Sequence, residues 1–158
     1  MAPSQFFFDL VEHFEGLKLQ AYQDQAGIWT IGYGTTHYPD GTPVKDGDTC
    51  TQEEAQQYLL AHINGIILGA QLTQPQFDAC LSFAYNAGIG AWNTSSLKKA
   101  ILSGAGADEI NDDFCKWDKA HIDGQLVEVP GLLRRRKCEA YLFNNGCNAT
   151  GFVVPASA

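Results

Sequence analysis

The stretch HFEGLKLQAYQDQAGIWTIGYGTT, from His13 to Thr36, carries Glu15, Asp24 and Thr30 at successive offsets of nine and six residues. Two carboxylates and a hydroxyl suit the hydrolysis of a glycosidic bond. One acid protonates the leaving oxygen, and a second group acts on the oxocarbenium-like carbon from the other side. The two carboxylates then need different surroundings, one apolar enough to keep its proton and one that stays ionised. Glu15 lies between Phe14 and Gly16-Leu17, at what reads as a helix end, where partial burial raises a carboxyl pKa. Asp24 sits near a hairpin turn, a wetter place. Thr30 falls on the returning strand, with a hydroxyl that both donates and accepts. A water held between Asp24 and Thr30 would be an activated nucleophile. Each residue also has an ordinary reading: an exposed helix-end Glu, a turn-supporting Asp and a strand-forming Thr.

The elements that position these groups follow from pattern. Ser4 is a candidate N-cap and Gly16 a candidate stop for a first helix over about 5–15, with Phe7, Leu10, Val11 and Phe14 as its inward stripe. Between 19 and 46, Tyr22, Ile28, Trp29, Thr30, Ile31 and Tyr33 are strand formers punctuated by glycines. Gln25-Ala26-Gly27 reads as a hairpin turn and Tyr38–Thr42 as a second turn, predicting a small antiparallel sheet of two or three strands. Thr51 and Glu54 have capping-box spacing. Ala55, Leu59, Ile63, Ile66 and Ala70 then predict a helix of roughly 20 residues and ~30 Å over 51–71, long enough to join two lobes. Thr73 with Gln76 opens another helix, through Phe77, Cys80, Leu81, Phe83 and Ala84 to Gly88. Shorter helices are predicted near 94–103 and 107–119, a loop over His121–Leu126, and a last helix from about Pro130 to Phe143.

Bulk properties narrow the function classes. The chain has 158 residues, 45% hydrophobic and 18% charged, enough for one core-bearing domain. A net charge of −8 gives no general attraction to nucleic acid or an anionic membrane. The dense basic run, Leu132–Lys137, reads as a solvated helix face. The five cysteines are Cys50, Cys80, Cys115, Cys138 and Cys147. Their odd number leaves at least one thiol unpaired within the chain, and Cys138 with Cys147 is the pair to examine for a bridge. No phosphate-binding loop, dinucleotide fingerprint or HExxH motif occurs, so no metal or cofactor is expected. No secretory signal and no apolar run of ~20 residues is visible, which predicts neither export by leader nor stable membrane association.

At this point the residues resemble a known family. Phe14-Glu15-Gly16, Ala21-Tyr22-x-Asp24, Gly27 and Trp29-Thr30-Ile31-Gly32-Tyr33-Gly34-x-Thr36 are similar to the catalytic segment of the phage-type lysozymes, the endolysins of tailed bacteriophages. Gln76–Gly88 resembles that family's central helix, and Gly131–Glu139 its closing GL-x-x-RR-x-x-E pattern. The resemblance covers roughly residues 5–145. It implies an α+β, mostly helical, two-lobed lysozyme-like fold: a small antiparallel β-sheet lobe over about 17–50, a linking helix over 51–71, and a helical lobe over 73–145 that includes the N-terminal helix 5–15, with a tail at 147–158. The saccharide cleft would lie between the lobes.

The implied activity is that of an N-acetylmuramidase cutting the β-1,4 bond between N-acetylmuramic acid and N-acetylglucosamine in peptidoglycan. By resemblance Glu15 is the general acid, Asp24 with Thr30 activates water, and the anomeric centre inverts. Inversion needs carboxylates ~6.5–9.5 Å apart and retention ~5–5.5 Å, a choice sequence spacing leaves open. Thr36, Tyr85, Ser96 and Asn111 fall where the family touches saccharide. One of Arg134, Arg135 and Arg136 would pair with Glu15 or steady its neighbours. Peptidoglycan is the expected partner of a monomeric enzyme stored in the host cytoplasm and released through a holin-like pore. The acidic surface predicts activity that rises with screening salt. Two other classes compete: a lytic transglycosylase, which needs no positioned water, and a glycan-binding module that has lost the chemistry.

Overall fold

The structure, a computed structural model, describes residues 1–64, 66, 68–69 and 71–146. The expected tail at 147–158, Cys147 and its candidate bridge, and Ala70 lie outside the described residues. Cys138 itself is a buried free thiol. The chain divides into two compact units, one of Met1–Phe7 with Ile66–Ala158 and one of Phe8–Gly65.

The unit Phe8–Gly65 contains most of helix α1 (Gln5–Glu15), strands β1 (Lys18–Gln23) and β2 (Trp29–Gly32), and helix α2 (Gln52–Ile63). β1 and β2 pair antiparallel, with Tyr22 opposite Thr30 and Gln23 opposite Trp29, and with an irregularity between Lys18 and Tyr22. The sheet has two strands, extended by isolated bridges such as Gln20 to Thr49 and His37 to Pro43.

Most of α1 therefore groups with the sheet rather than with the later helices, as does α2. The contacts explain why. Tyr33 is fully buried and its hydroxyl donates to Glu12 Oε2 on α1 at 3.3 Å. α2 lies against β2 so closely that a Cβ at Gly32 would sit 3.1 Å from the Ala55 Cβ. Gly32 also has φ +66°, so both space and backbone require glycine there. The second turn forms as expected, Tyr38 N–H donating to Thr42 O at 2.8 Å. The Tyr38 hydroxyl donates to Asp48 Oδ2 at 2.7 Å, clipping this turn to the chain that leads into α2.

α2 is shorter than the helix predicted over 51–71. Its capping box forms through Thr51 and Glu54, and Ala55, Leu59 and Ile63 are buried on one face. It ends at Ile63 with Asn64 as C-cap, after 12 residues or about 18 Å. Ile66, Leu68 and Gly69 carry no regular element. Asn64-Gly65, the β-branched Ile66-Ile67 pair and Gly69 outweigh the apolar period that suggested continuation.

The other unit is built on α3 (Gln74–Ala87), α4 (Ile89–Thr94), α5 (Ser96–Ser103), α6 (Ala107–Cys115) and α7 (Pro130–Asn145). Phe83 is its aromatic hub. Trp92, Phe114 and Trp117 meet its ring at 6.2, 5.9 and 5.5 Å between centroids, near the edge-to-face geometry such rings prefer. The segment expected as a loop is a hairpin, β3 (Lys119–Ile122) with β4 (Gln125–Glu128). Its two-residue Asp123-Gly124 turn has both residues at positive φ, the twist that joins antiparallel strands without splaying them.

The basic run is also not a solvated face. Arg134 is exposed, but Arg135 and Arg136 are 3% and 1% accessible and converge on the fully buried Glu139. Arg136 Nε lies 2.9 Å from Glu139 Oε2 and Arg135 Nε 3.3 Å from Oε1. Ser82 donates to the same Oε1 at 2.7 Å, and the Arg136 guanidinium covers the Phe83 ring at 5.0 Å. Arg at i and i+1 points to different sides of a helix, yet both reach one carboxylate three and four residues on.

A second buried carboxylate anchors the N-terminus. Asp78 accepts from the Ser4 hydroxyl and, at 3.1 Å, from the Ser4 backbone N–H; Gln74 donates both to Asp78 and to Ala2 O. Burial raises the Asp78 pKa, and the Ser4 bonds oppose that rise.

Two predictions follow from these carboxylates. Glu139→Ala leaves two guanidinium groups buried without their counter-charge, and should cost about 3–5 kcal/mol in urea unfolding. For Asp78 the folded pKa lies above the ordinary 3.8, so its contribution to stability is complete below that value. The contribution is lost as pH rises through the raised value. The Tm of the wild type should fall across that interval relative to Asp78→Asn.

Candidate functional site

The chain leaves α1 at Gly16, runs up β1 and turns back into β2 through Asp24–Ile28. The turn is a three-residue hairpin loop with Gly27 in the left-handed position, at φ +78°. Gly27 N–H donates to Asp24 O at 2.9 Å, and Asp24 N–H to Ile28 O at 3.0 Å. The Asp24 side chain completes the loop. Its Oδ1 accepts from Ala26 N–H at 2.8 Å and from Ile28 N–H at 2.9 Å. A short side chain that folds back on its own loop in this way is why Asp is favoured there. Its Oδ2 carries no hydrogen bond among the described residues.

Thr30 is 4% accessible on β2, and its hydroxyl donates to Ile28 O at 2.9 Å. A carbonyl can only accept, so the Thr30 proton is committed and its lone pairs are what remain. Asp24 and Thr30 are therefore brought together on the backbone of one residue, Ile28. Glu15 is half-buried at the last position of α1, two residues before Leu17 leads into β1. All three lie within the unit Phe8–Gly65. Trp29, between the two loop groups, is half-buried.

Thr36 lies in the same unit, half-buried, with its hydroxyl 3.2 Å from His37 Nδ1 and its carbonyl accepting from Val44 N–H. Tyr85, Ser96 and Asn111 belong to the other unit. Tyr85 is half-buried on α3, whereas Asn111 is exposed on α6. Ser96 opens α5, and its hydroxyl donates to Asp113 Oδ1 at 2.9 Å. Ser96, Lys99, Glu109, Asp112, Asp113 and Lys116 line a cavity of about 660 Å³. Sequence reasoning singled out Asn111, but it is its two aspartate neighbours that face this cavity. It also passed over Ile28, whose side chain is 49% exposed and whose backbone holds both loop groups. The signal for that role was the order Asp-x-x-Gly-x before a strand.

Comparison with known proteins places the chain in a family. A family model described as phage lysozyme matches residues 12–139. The chain belongs to the phage lysozyme family. An endolysin of Acyrthosiphon pisum secondary endosymbiont phage 1 is 39% identical over 146 residues, covering 86% of this chain and 93% of that one. The solved endolysin of Escherichia coli O157:H7 phage FAHEc1 superposes with a TM-score of 0.86 at 38% identity, over 93% of this chain and 96% of its own. The muramidase domain of SpmX from Asticaccaulis excentricus superposes with a TM-score of 0.73 at 33% identity, over 90% and 97%. The α+β, mostly helical lysozyme fold expected from the sequence is thus the fold of this chain, and the protein is a glycoside hydrolase whose substrate class is peptidoglycan.

The loop geometry makes one position diagnostic. A Cβ at Gly27 meets nothing within 4 Å, so Gly27→Ala carries only the cost of the left-handed backbone, about 1–2 kcal/mol. Urea unfolding should show that loss.

Proposed function

We propose that the chain is an N-acetylmuramidase that hydrolyses the β-1,4 bond between N-acetylmuramic acid and N-acetylglucosamine, with Glu15 as general acid and Asp24, assisted by Thr30, activating water. The observation that carries this reading is the attachment of Asp24 Oδ1 and the Thr30 hydroxyl to the backbone N–H and carbonyl of one residue, Ile28. Asp24 Oδ2 and the Thr30 lone pairs are then both acceptors, and a water has two protons to give them. Its own lone pair is left for the anomeric carbon. Glu15 gives its proton to the glycosidic oxygen as the bond from that oxygen to the anomeric carbon breaks. The water oxygen bonds to the same carbon from the opposite face, and its proton passes to Asp24, so the centre inverts. Glu15 ends ionised and Asp24 protonated, and exchange with solvent resets both. Thr36, Tyr85, Ser96 and Asn111 are saccharide contacts in this reading.

A pair of acceptors able to hold a water argues for hydrolysis over transglycosylation, in which a substrate hydroxyl attacks and an anhydro end results. The test is clearing of purified peptidoglycan, with folding checked by circular dichroism. Glu15→Gln and Asp24→Asn should each lose about 100-fold or more while remaining folded. The wild-type products should carry new reducing ends. Near-wild-type turnover by folded Asp24→Asn, or anhydro ends in the products, would sink the assignment.

A further inference from the structure

Between the two loop residues of the proposed mechanism lies a group that is neither of them. The Ile28 backbone N–H donates to Asp24 Oδ1 at 2.9 Å, and its carbonyl accepts from the Thr30 hydroxyl, also at 2.9 Å. The same carbonyl accepts from Asp24 N–H at 3.0 Å. Three bonds to one residue's backbone fix the position of one acceptor and the polarity of the other. The Ile28 side chain contributes little to this, being half exposed.

We propose that the Ile28 backbone is a positioning group for hydrolysis: its N–H holds the Asp24 carboxylate so that Oδ2 is presented, and its carbonyl takes the Thr30 proton so that the hydroxyl faces water as an acceptor. The proposal rests on the reading of Asp24 and Thr30 as the water-holding pair.

The carbonyl half is the sharper one. A threonine hydroxyl left to itself samples donor and acceptor orientations. In the donor orientation it gives its proton to the water's lone pair instead of receiving a proton from the water. That lone pair is the one that must reach the anomeric carbon. The Ile28 carbonyl removes the competing orientation before substrate arrives, which is where preorganised dipoles contribute to rate. The N–H half acts on orientation: a donor to Oδ1 stops the carboxylate from rotating and keeps Oδ2 turned outward.

The experiment uses the full chain with single backbone amides replaced by esters, which changes the peptide and keeps every side chain. Replacing the Ile28–Trp29 amide weakens the Ile28 carbonyl as an acceptor. We expect kcat on purified peptidoglycan to fall about threefold to tenfold with KM within twofold. Thr30→Val removes the hydroxyl, and in that background the ester should cost nothing further, because the carbonyl acts through the hydroxyl. Thr30→Ser restores a hydroxyl, and sensitivity to the ester should return with it. Equal losses in the wild-type and Thr30→Val backgrounds would mean a merely structural carbonyl and overturn the proposal. Replacing the Gly27–Ile28 amide removes the donor to Asp24 and should lower kcat about threefold to tenfold with KM within twofold; an unchanged kcat overturns the N–H half. Wild-type kcat in Thr30→Val alone would instead overturn the reading of Thr30 itself. That single variant tells the two failures apart.

Discussion

A carboxylate that accepts two N–H groups of its own loop cannot rotate away from them. Asp24 is in this position, and much of the unit Phe8–Gly65 follows from it. Its bonds to Ala26 and Ile28 close the hairpin loop. The closed loop sets Tyr22 opposite Thr30, and the Thr30 hydroxyl reaches back two residues along its own strand to the Ile28 carbonyl. A slip of one residue would turn Thr30 to the other face of the sheet. The structural and chemical readings of Asp24 are therefore not alternatives. One oxygen builds the turn and the other makes no hydrogen bond among the described residues, which leaves room for the proposed chemistry.

The helical unit solves a different problem with the same residue types. Glu139 is fully buried, and two arginines, a serine and the Phe83 ring surround it. Such a cluster is costly to desolvate, and burial does pull the Arg136 pKa down while Glu139 opposes the shift. What the cluster contributes is geometry. It ties α7 to α3 through Ser82 and Asn86, at one place and in one register. The neighbouring aromatic rings tolerate many arrangements, and the buried charges admit few.

The β region is held by smaller polar clips. Tyr38 donates to Asp48, and the Lys45 N–H and this hydroxyl together lower the Asp48 pKa. Burial, then the Asp48 contact, raises that of Tyr38. Asp48 O in turn accepts from Ala21 N–H on β1. A two-stranded sheet is marginal on its own. Here the chain between β2 and α2 is fastened back onto it.

Much of this was legible in the chain itself. Local rules suffice where neighbours in sequence satisfy each other: the α1 stripe, the capping box of Thr51 and Glu54, the turn around Gly27, and the spacing of Glu15, Asp24 and Thr30. The Asp123-Gly124 hairpin belongs with these, since its dipeptide is a local signal that was passed over. The end of α2 does not, because an apolar period continues past the point where the helix stops. Nor does the fate of the arginine run. Arg134, Arg135 and Arg136 are one residue type in succession, and only the packing of α3 and α7 decides which is solvated and which is buried. Ile28 differs: its backbone bonds run to Asp24 and Thr30, close by in sequence, and the Asp-x-x-Gly-x order before β2 is their local signal. Sequence by itself determined which chemical groups this protein possesses and the local turns that carry them. Tertiary structure alone decided which groups lose their water, because burial depends on partners distant along the chain.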